Sequence, residues 1–180
     1  MVERISSLLS RIDWKNVALL AAAVALAAAY FKLFAIVFFI AAVVAVSFLV
    51  NQFHIRIIGI ELVTFATVIS GIVYGPVVGA VMGAVLVFIS LVFSGFFGVY
   101  YFWLIPEYAA AGYLAWLWRD QPIAALGMNI LLMVQGLNIV LTYLFARQNF
   151  FKYVVYIATE LVFNFIIFSV FGAWALGVLA

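Results

Sequence analysis

Residues 71–83 read Gly71-Ile72-Val73-Tyr74-Gly75-Pro76-Val77-Val78-Gly79-Ala80-Val81-Met82-Gly83. Four glycines recur at four-residue spacing in an otherwise apolar run, and Pro76 follows the second of them. In water this would be a poor helix, because each interior Gly costs about 1 kcal/mol relative to Ala. In a bilayer the backbone must satisfy its own hydrogen bonds, so helix persists there. Gly then removes the bulk that keeps two backbones apart. The stretch predicts a membrane protein with helices in tight mutual contact, and marks Gly71, Gly75, Gly79 and Gly83 as packing positions. Gly75-Pro76 has two readings. Gly past one helix end and Pro at the next helix start make a tight hairpin; otherwise one Pro-kinked helix carries all four glycines.

The rest of the chain agrees with a membrane setting. It is 71% hydrophobic and 8% charged over 180 residues, with a mean hydropathy of +1.38. A soluble domain is nearer half apolar and a quarter charged. No water-soluble half stands out, so the expectation is one integral membrane domain over 17–180, preceded by a surface segment at 1–16. In that segment Ile5, Leu8, Leu9 and Ile12 fall at i, i+3, i+4, i+7 while Glu3, Arg4, Ser7, Arg11 and Asp13 lie elsewhere. That pattern predicts a short amphipathic helix over 2–14 lying on the membrane surface. It does not read as a cleavable signal peptide, since the charges extend to Lys15 and the apolar region after it is too long.

Each span needs about 20 apolar residues, which predicts an all-α bundle of six to seven transmembrane helices. Residues 17–50 are interrupted only by Lys32. One helix of that length would be about 50 Å long, against a membrane core of about 30 Å. The expectation is therefore two spans, 17–31 and 33–50, turning at Lys32. Further spans are expected near 60–74, 76–97, 99–118, 123–146 and 152–178. With seven spans and a cytoplasmic N-terminus, Arg4, Arg11, Lys15, Arg56, Arg147 and Lys152 are inside and Lys32 and Arg119 outside, as the positive-inside rule asks; with six spans the same N-terminus gives four inside against three outside, which favours neither orientation. The location expected is the plasma membrane, with lipid as the main environment.

The run from Glu61 through Gly71, Gly75-Pro76, Gly79 and Gly83 to Val85 resembles the substrate-binding (S) components of energy-coupling-factor vitamin transporters. Those proteins show an apolar helix, a short Gly-Pro turn, then a helix opening with small residues in a GxxxG-like pattern. Their six-helix fold and length of about 180 residues are similar too. The resemblance implies a chain that binds a small solute and meets a membrane coupling subunit and ATPases. It also implies an Ala-xxx-Ala contact on the first helix, which Ala41 and Ala45 fit, as do Ala21, Ala25 and Ala29. MreD-type rod-shape membrane proteins have a related fold and a similar small-residue helix. One departure from the transporter pattern is the extra helix expected at 17–31, which moves loop 51–58 to the cytoplasmic side.

Ionisable groups inside spans are costly and are usually functional. Tyr156, Glu160 and Asn164 sit at i, i+4, i+8, on one helix face. They read either as a polar wall of a ligand cavity or as bonds to a neighbouring helix or subunit. Gln135, Asn138 and Thr142 lie at i, i+3, i+7 on the preceding helix, and read as facing Glu160 across a cavity or as packing glue between helices. Glu107 follows Pro106, and Trp103, Tyr100 and Tyr101 precede it. That group reads as a stacking surface for an aromatic solute, or as an interfacial belt with a kink. Glu61 reads as a charge favoured by a helix N-terminus.

Other chemistries find little footing. With no Cys and the single His54, no familiar zinc, haem or iron–sulfur site can be assembled. The nickel and cobalt relatives of these transporters use an N-terminal His that is absent here. A Ser–His protease has no flanking motif around His54, and no phosphate loop is present. No basic run suits nucleic acid. The expected function is thus a vitamin-like solute-binding subunit of a multi-subunit membrane transporter, without catalytic residues, metal or cofactor. The alternative is a non-catalytic scaffold subunit of an integral membrane complex.

Overall fold

A computed structural model describes residues 14–55, 57–95 and 98–179. Among them six α-helices follow one another: α1 (Trp14–Gln52), α2 (Val63–Tyr74), α3 (Pro76–Phe93), α4 (Tyr101–Leu117), α5 (Ile123–Phe145) and α6 (Phe150–Leu179), with a single 3-10 turn, Arg147–Asn149, before the last. The expected surface helix over 2–14 falls outside the described residues except for Trp14, which opens α1.

The two short spans expected at 17–31 and 33–50 are instead one helix, α1, and Lys32 does not turn the chain. Residues 14–52 contain neither Gly nor Pro and are rich in Ala and Leu. A lone Lys is itself a good helix former, so nothing local ends the helix. Its 39 residues make it about 58 Å long, well beyond a core of about 30 Å. The chain divides into two compact units within α1, residues 1–37 and 38–180. In the first, Leu19, Leu20, Val24, Tyr30 and Phe34 are all exposed. In the second, Phe39, Val43, Ser47 and Val50 form a buried stripe at helical spacing. The edge of Phe39 meets Phe65 of α2 (centroids 6.5 Å apart, rings at 80°), and Ser47 donates to Ser90 of α3 at 3.0 Å.

The hairpin reading of Gly75-Pro76 is the one observed. Gly75 has φ +94°, ends α2 and precedes α3, with Pro76 in the first turn of α3. That φ is cheap only for Gly. Its N–H still bonds to Gly71 O at 3.2 Å, and its carbonyl accepts the Gly79 N–H at 2.9 Å.

Helix α2 is the hub of the second unit. Val63 through Gly71 are all buried, and the helix packs against α3, α4, α5 and α6. At 12 residues it spans about 18 Å, too short to cross a membrane. Four helices, α1, α3, α5 and α6, are long and apolar enough to cross; the spans expected at 60–74 and 99–118 are the shorter α2 and α4. The outward faces are apolar: Val77, Phe88, Leu132, Leu144, Phe165 and Trp174 are exposed, while Glu61, Thr64, Gln135, Asn138, Glu160 and Asn164 are buried. Apolar outside and polar inside, on long helices with closed backbones, is the arrangement a lipid solvent selects. The protein is an all-helical membrane protein.

Candidate functional site

The glycines bring α2, α3 and α4 into backbone contact. A Cβ on Gly79 would stand 2.5 Å from Gly71 Cα and 2.6 Å from the Gly112 carbonyl oxygen. A Cβ on Gly71 would collide with the same Gly112 oxygen, one on Gly83 with the Tyr108 oxygen, and one on Gly112 with the Gly79 oxygen. Gly75 differs: nothing lies within 4 Å of its Cβ position, and its role is the turn. Ala41 and Ala45 are exposed and lie on the side of α1 opposite the buried stripe. Gly112, in the run Ala109-Ala110-Ala111-Gly112, is the fourth member of the cradle. Its sequence signal is weak, because no second glycine is spaced from it on its own helix.

This close approach sets α4 against α2, and a polar seam runs beside it. Glu61, just before α2, accepts the Thr64 N–H through Oε2 at 3.0 Å. The sequence reading of Glu61 as a helix N-terminal charge describes this bond. Its other oxygen, Oε1, accepts from Asn164 Nδ2 of α6 at 2.9 Å, a contact no local pattern foretells. Gly59 makes it possible. Its N–H donates to Thr159 Oγ1 at 2.7 Å, and a Cβ there would stand 2.5 Å from the Tyr156 oxygen and 2.7 Å from Glu160 Cα. The segment entering α2 therefore lies flat on α6.

Along α6, Ile157, Glu160, Asn164 and Phe168 are buried, as expected for one face. Glu160 and Asn164 are fully buried, at 0% exposure. Gln135 of α5 donates Nε2–H to Glu160 Oε2 at 2.7 Å, and Tyr153 donates its hydroxyl to Gln135 Oε1 at 2.6 Å. Asn164 Nδ2 also reaches the Glu160 carbonyl at 3.2 Å. At the other end, Thr64 Oγ1 and Tyr108 Oη of α4 share a hydrogen bond at 3.2 Å. One chain of polar contacts thus runs from Tyr153 through Gln135, Glu160, Asn164, Glu61 and Thr64 to Tyr108. Tyr156 is only partly buried and joins through its ring, stacked on Tyr153 at 5.9 Å and 11°.

Asn138 is not in that chain. Its Oδ1 accepts from Trp103 Nε1 at 2.7 Å, tying α5 to α4. The Trp103 ring is engaged by Tyr100 (5.4 Å, edge-on) and Phe145 (6.0 Å). The structure thus brings Gln135, Glu160 and Asn164 together directly and seats Asn138 with Trp103 as a second polar contact. Tyr153, Tyr108, Thr64 and Gly59 were absent from the sequence reading. Tyr153 had a usable signal, lying seven residues before Glu160 and so on its face; the others are set by inter-helix geometry.

The seam holds unspent hydrogen-bonding capacity. Glu160 Oε1, Asn164 Oδ1, Asn138 Nδ2, Thr142 Oγ1, Thr67 Oγ1 and Ser70 Oγ are buried and have no hydrogen-bond partner among the described residues. Both carboxylate oxygens of Glu107 are likewise buried without one. Buried polar atoms are nearly always paired, so this concentration leaves hydrogen-bonding capacity that the described side chains do not use. Among the described residues no set of three His, Cys, Asp or Glu side chains could hold a metal ion. An apolar groove of about 310 Å³ lies elsewhere, at Val170, Phe171 and Trp174 of α6. Comparison with protein-family models, with curated proteins and with solved structures finds no match.

Proposed function

We propose that this protein is the small-solute-binding subunit of a multi-subunit membrane transporter, holding a vitamin-like molecule among α2, α4, α5 and α6. The observation that carries this reading is the set of unpartnered polar atoms turned into the bundle from three helices: Thr67 and Ser70 on α2, Asn138 and Thr142 on α5, Glu160 and Asn164 on α6. A solute site is mostly apolar with a few placed polar groups, and this interior has that composition. The resemblance of residues 61–85 to the S components of energy-coupling-factor transporters adds to it. Their partners, a coupling subunit and ATPases, are part of the proposal, as are the plasma membrane and a cytoplasmic N-terminus.

The second reading is a scaffold subunit of an integral membrane complex. What favours it is that Gln135 with Glu160, and Asn164 with Glu61, already bond to each other. Contacts of this kind hold helices together without any ligand. The exposed Ala41 and Ala45 would then serve as a contact with another subunit.

Purified full-length protein decides between them. Native mass spectrometry and thermal-shift screening against vitamins and related heterocycles should find one solute that binds without ATP, and Asn138→Ala should weaken it. If no solute binds, and the purified chain stays associated with other membrane subunits through α1, the scaffold reading stands instead.

A further inference from the structure

We infer that Glu160, Asn164 and Glu61 form a binding site for one small monovalent cation, a proton or a sodium ion. The directions of the hydrogen bonds lead to this. Asn164 Nδ2 donates both to Glu61 Oε1 and to the Glu160 carbonyl. The amide orientation is therefore set, and Oδ1 is its acceptor end. Glu61 has a donor on each oxygen, from Asn164 and from the Thr64 N–H. Among the described residues Glu160 has a donor only on Oε2, from Gln135. Glu160 Oε1 and Asn164 Oδ1 are left over, on residues that are fully buried. Both are acceptors, so whatever completes them must bring positive charge or a hydrogen.

The charge balance points the same way. Residues 57–118, 120–146 and 153–180 contain no Lys, Arg or His. Among the described residues, the titratable groups close enough to interact with Glu160 are Glu61 before α2, Tyr108 on α4, and Tyr153 and Tyr156 on α6. None of them supplies a positive charge. A buried carboxylate without a counter-charge is strongly disfavoured. Water would satisfy the acceptors but would leave the charge unbalanced. Glu61 sits at the N-terminus of α2, where an anion is favoured, which leaves Glu160 requiring one positive charge. Oxygen-only ligands suit hard cations, no third His, Cys, Asp or Glu joins the pair among the described residues, and with Glu61 held by two donors a single positive charge balances Glu160. The site takes two of the atoms that the solute reading also counts, Glu160 Oε1 and Asn164 Oδ1, but it needs no solute; a scaffold subunit would hold it equally well.

The test uses the full chain in lipid nanodiscs, with two arms. In the first, sodium replaces choline at constant ionic strength and fixed pH while thermal unfolding is followed. A sodium site gives a saturable rise in Tm that potassium or choline does not reproduce. In the second, infrared difference spectra are recorded without sodium between about pH 5 and pH 9. A proton site gives a buried carboxylic-acid band that appears and disappears with pH and is missing in Glu160→Gln. Asn164→Ala should weaken sodium about tenfold, or move the carboxyl titration by about one pH unit. The wild-type measurements suffice if either variant fails to fold. A Tm indifferent to sodium, together with a carboxyl band unchanged across that pH range, would overturn the inference.

Discussion

A Cβ placed on Gly79 would stand 2.6 Å from the carbonyl oxygen of Gly112, and Gly112 is closed in the same way by the backbone of Gly79. The two residues lie on α3 and α4, which form the most extensive helix pair among the described residues. Backbone meets backbone there, so neither side can yield by changing a rotamer. Small residues at such crossings let helices gain van der Waals contact in a solvent that offers no hydrophobic drive between them.

Gly79→Ala and Gly112→Ala should therefore each destabilise by at least the 1–3 kcal/mol typical of overpacking, despite the better helix propensity of Ala. Gly79→Leu should abolish folding. Gly136 on α5 is the control: it is exposed and has nothing within 4 Å of its Cβ position, so Gly136→Ala should stabilise by up to about 1 kcal/mol. Thermal unfolding in a single detergent compares all four, and equal effects at Gly112 and Gly136 would contradict the backbone crossing.

Gln135 ties Tyr153 to Glu160 through its two amide atoms. Gln135→Leu removes a donor from a buried carboxylate and an acceptor from a phenol, and should cost about 1–3 kcal/mol. Tyr153→Phe removes one bond and should cost about 1 kcal/mol. A double-mutant cycle on Gln135 and Glu160 should show coupling, because the residues share one contact. Additive losses would mean that the bond does not persist in the membrane.

For solute binding, Glu160→Ala should lower affinity by about 1–3 kcal/mol if the ligand uses the open carboxylate oxygen. Trp103→Phe keeps the ring but frees Asn138 Oδ1, and should change affinity for solutes that hydrogen-bond there. Isothermal titration with the solute found by screening measures both. Wild-type affinity in both variants would place the solute elsewhere.

A cysteine at position 10 should react with membrane-impermeant maleimide only in inside-out vesicles, since Arg4, Arg11 and Lys15 favour the cytoplasmic side. Labelling in intact cells would reverse the orientation.

Much of this was legible without a structure. The apolar composition decided that lipid is the solvent. Gly75-Pro76 decided where one helix stops and the next begins, because a positive φ and a missing N–H are local matters. Spacing alone put Glu160 and Asn164 on one face, since helix periodicity needs no knowledge of neighbours. Bilayer thickness is a poor ruler for α1: a core of about 30 Å would divide residues 17–50 in two, yet no Gly or Pro is present to break the helix. Only the tertiary structure decided that Gly112 is the partner of Gly79, that Gly59 lets Glu61 reach Asn164, and that Gln135 bonds Glu160 while Asn138 bonds Trp103. These are contacts between elements far apart in the chain. They follow from which helices pack together and at what depth, and side-chain periodicity along one helix carries no record of either.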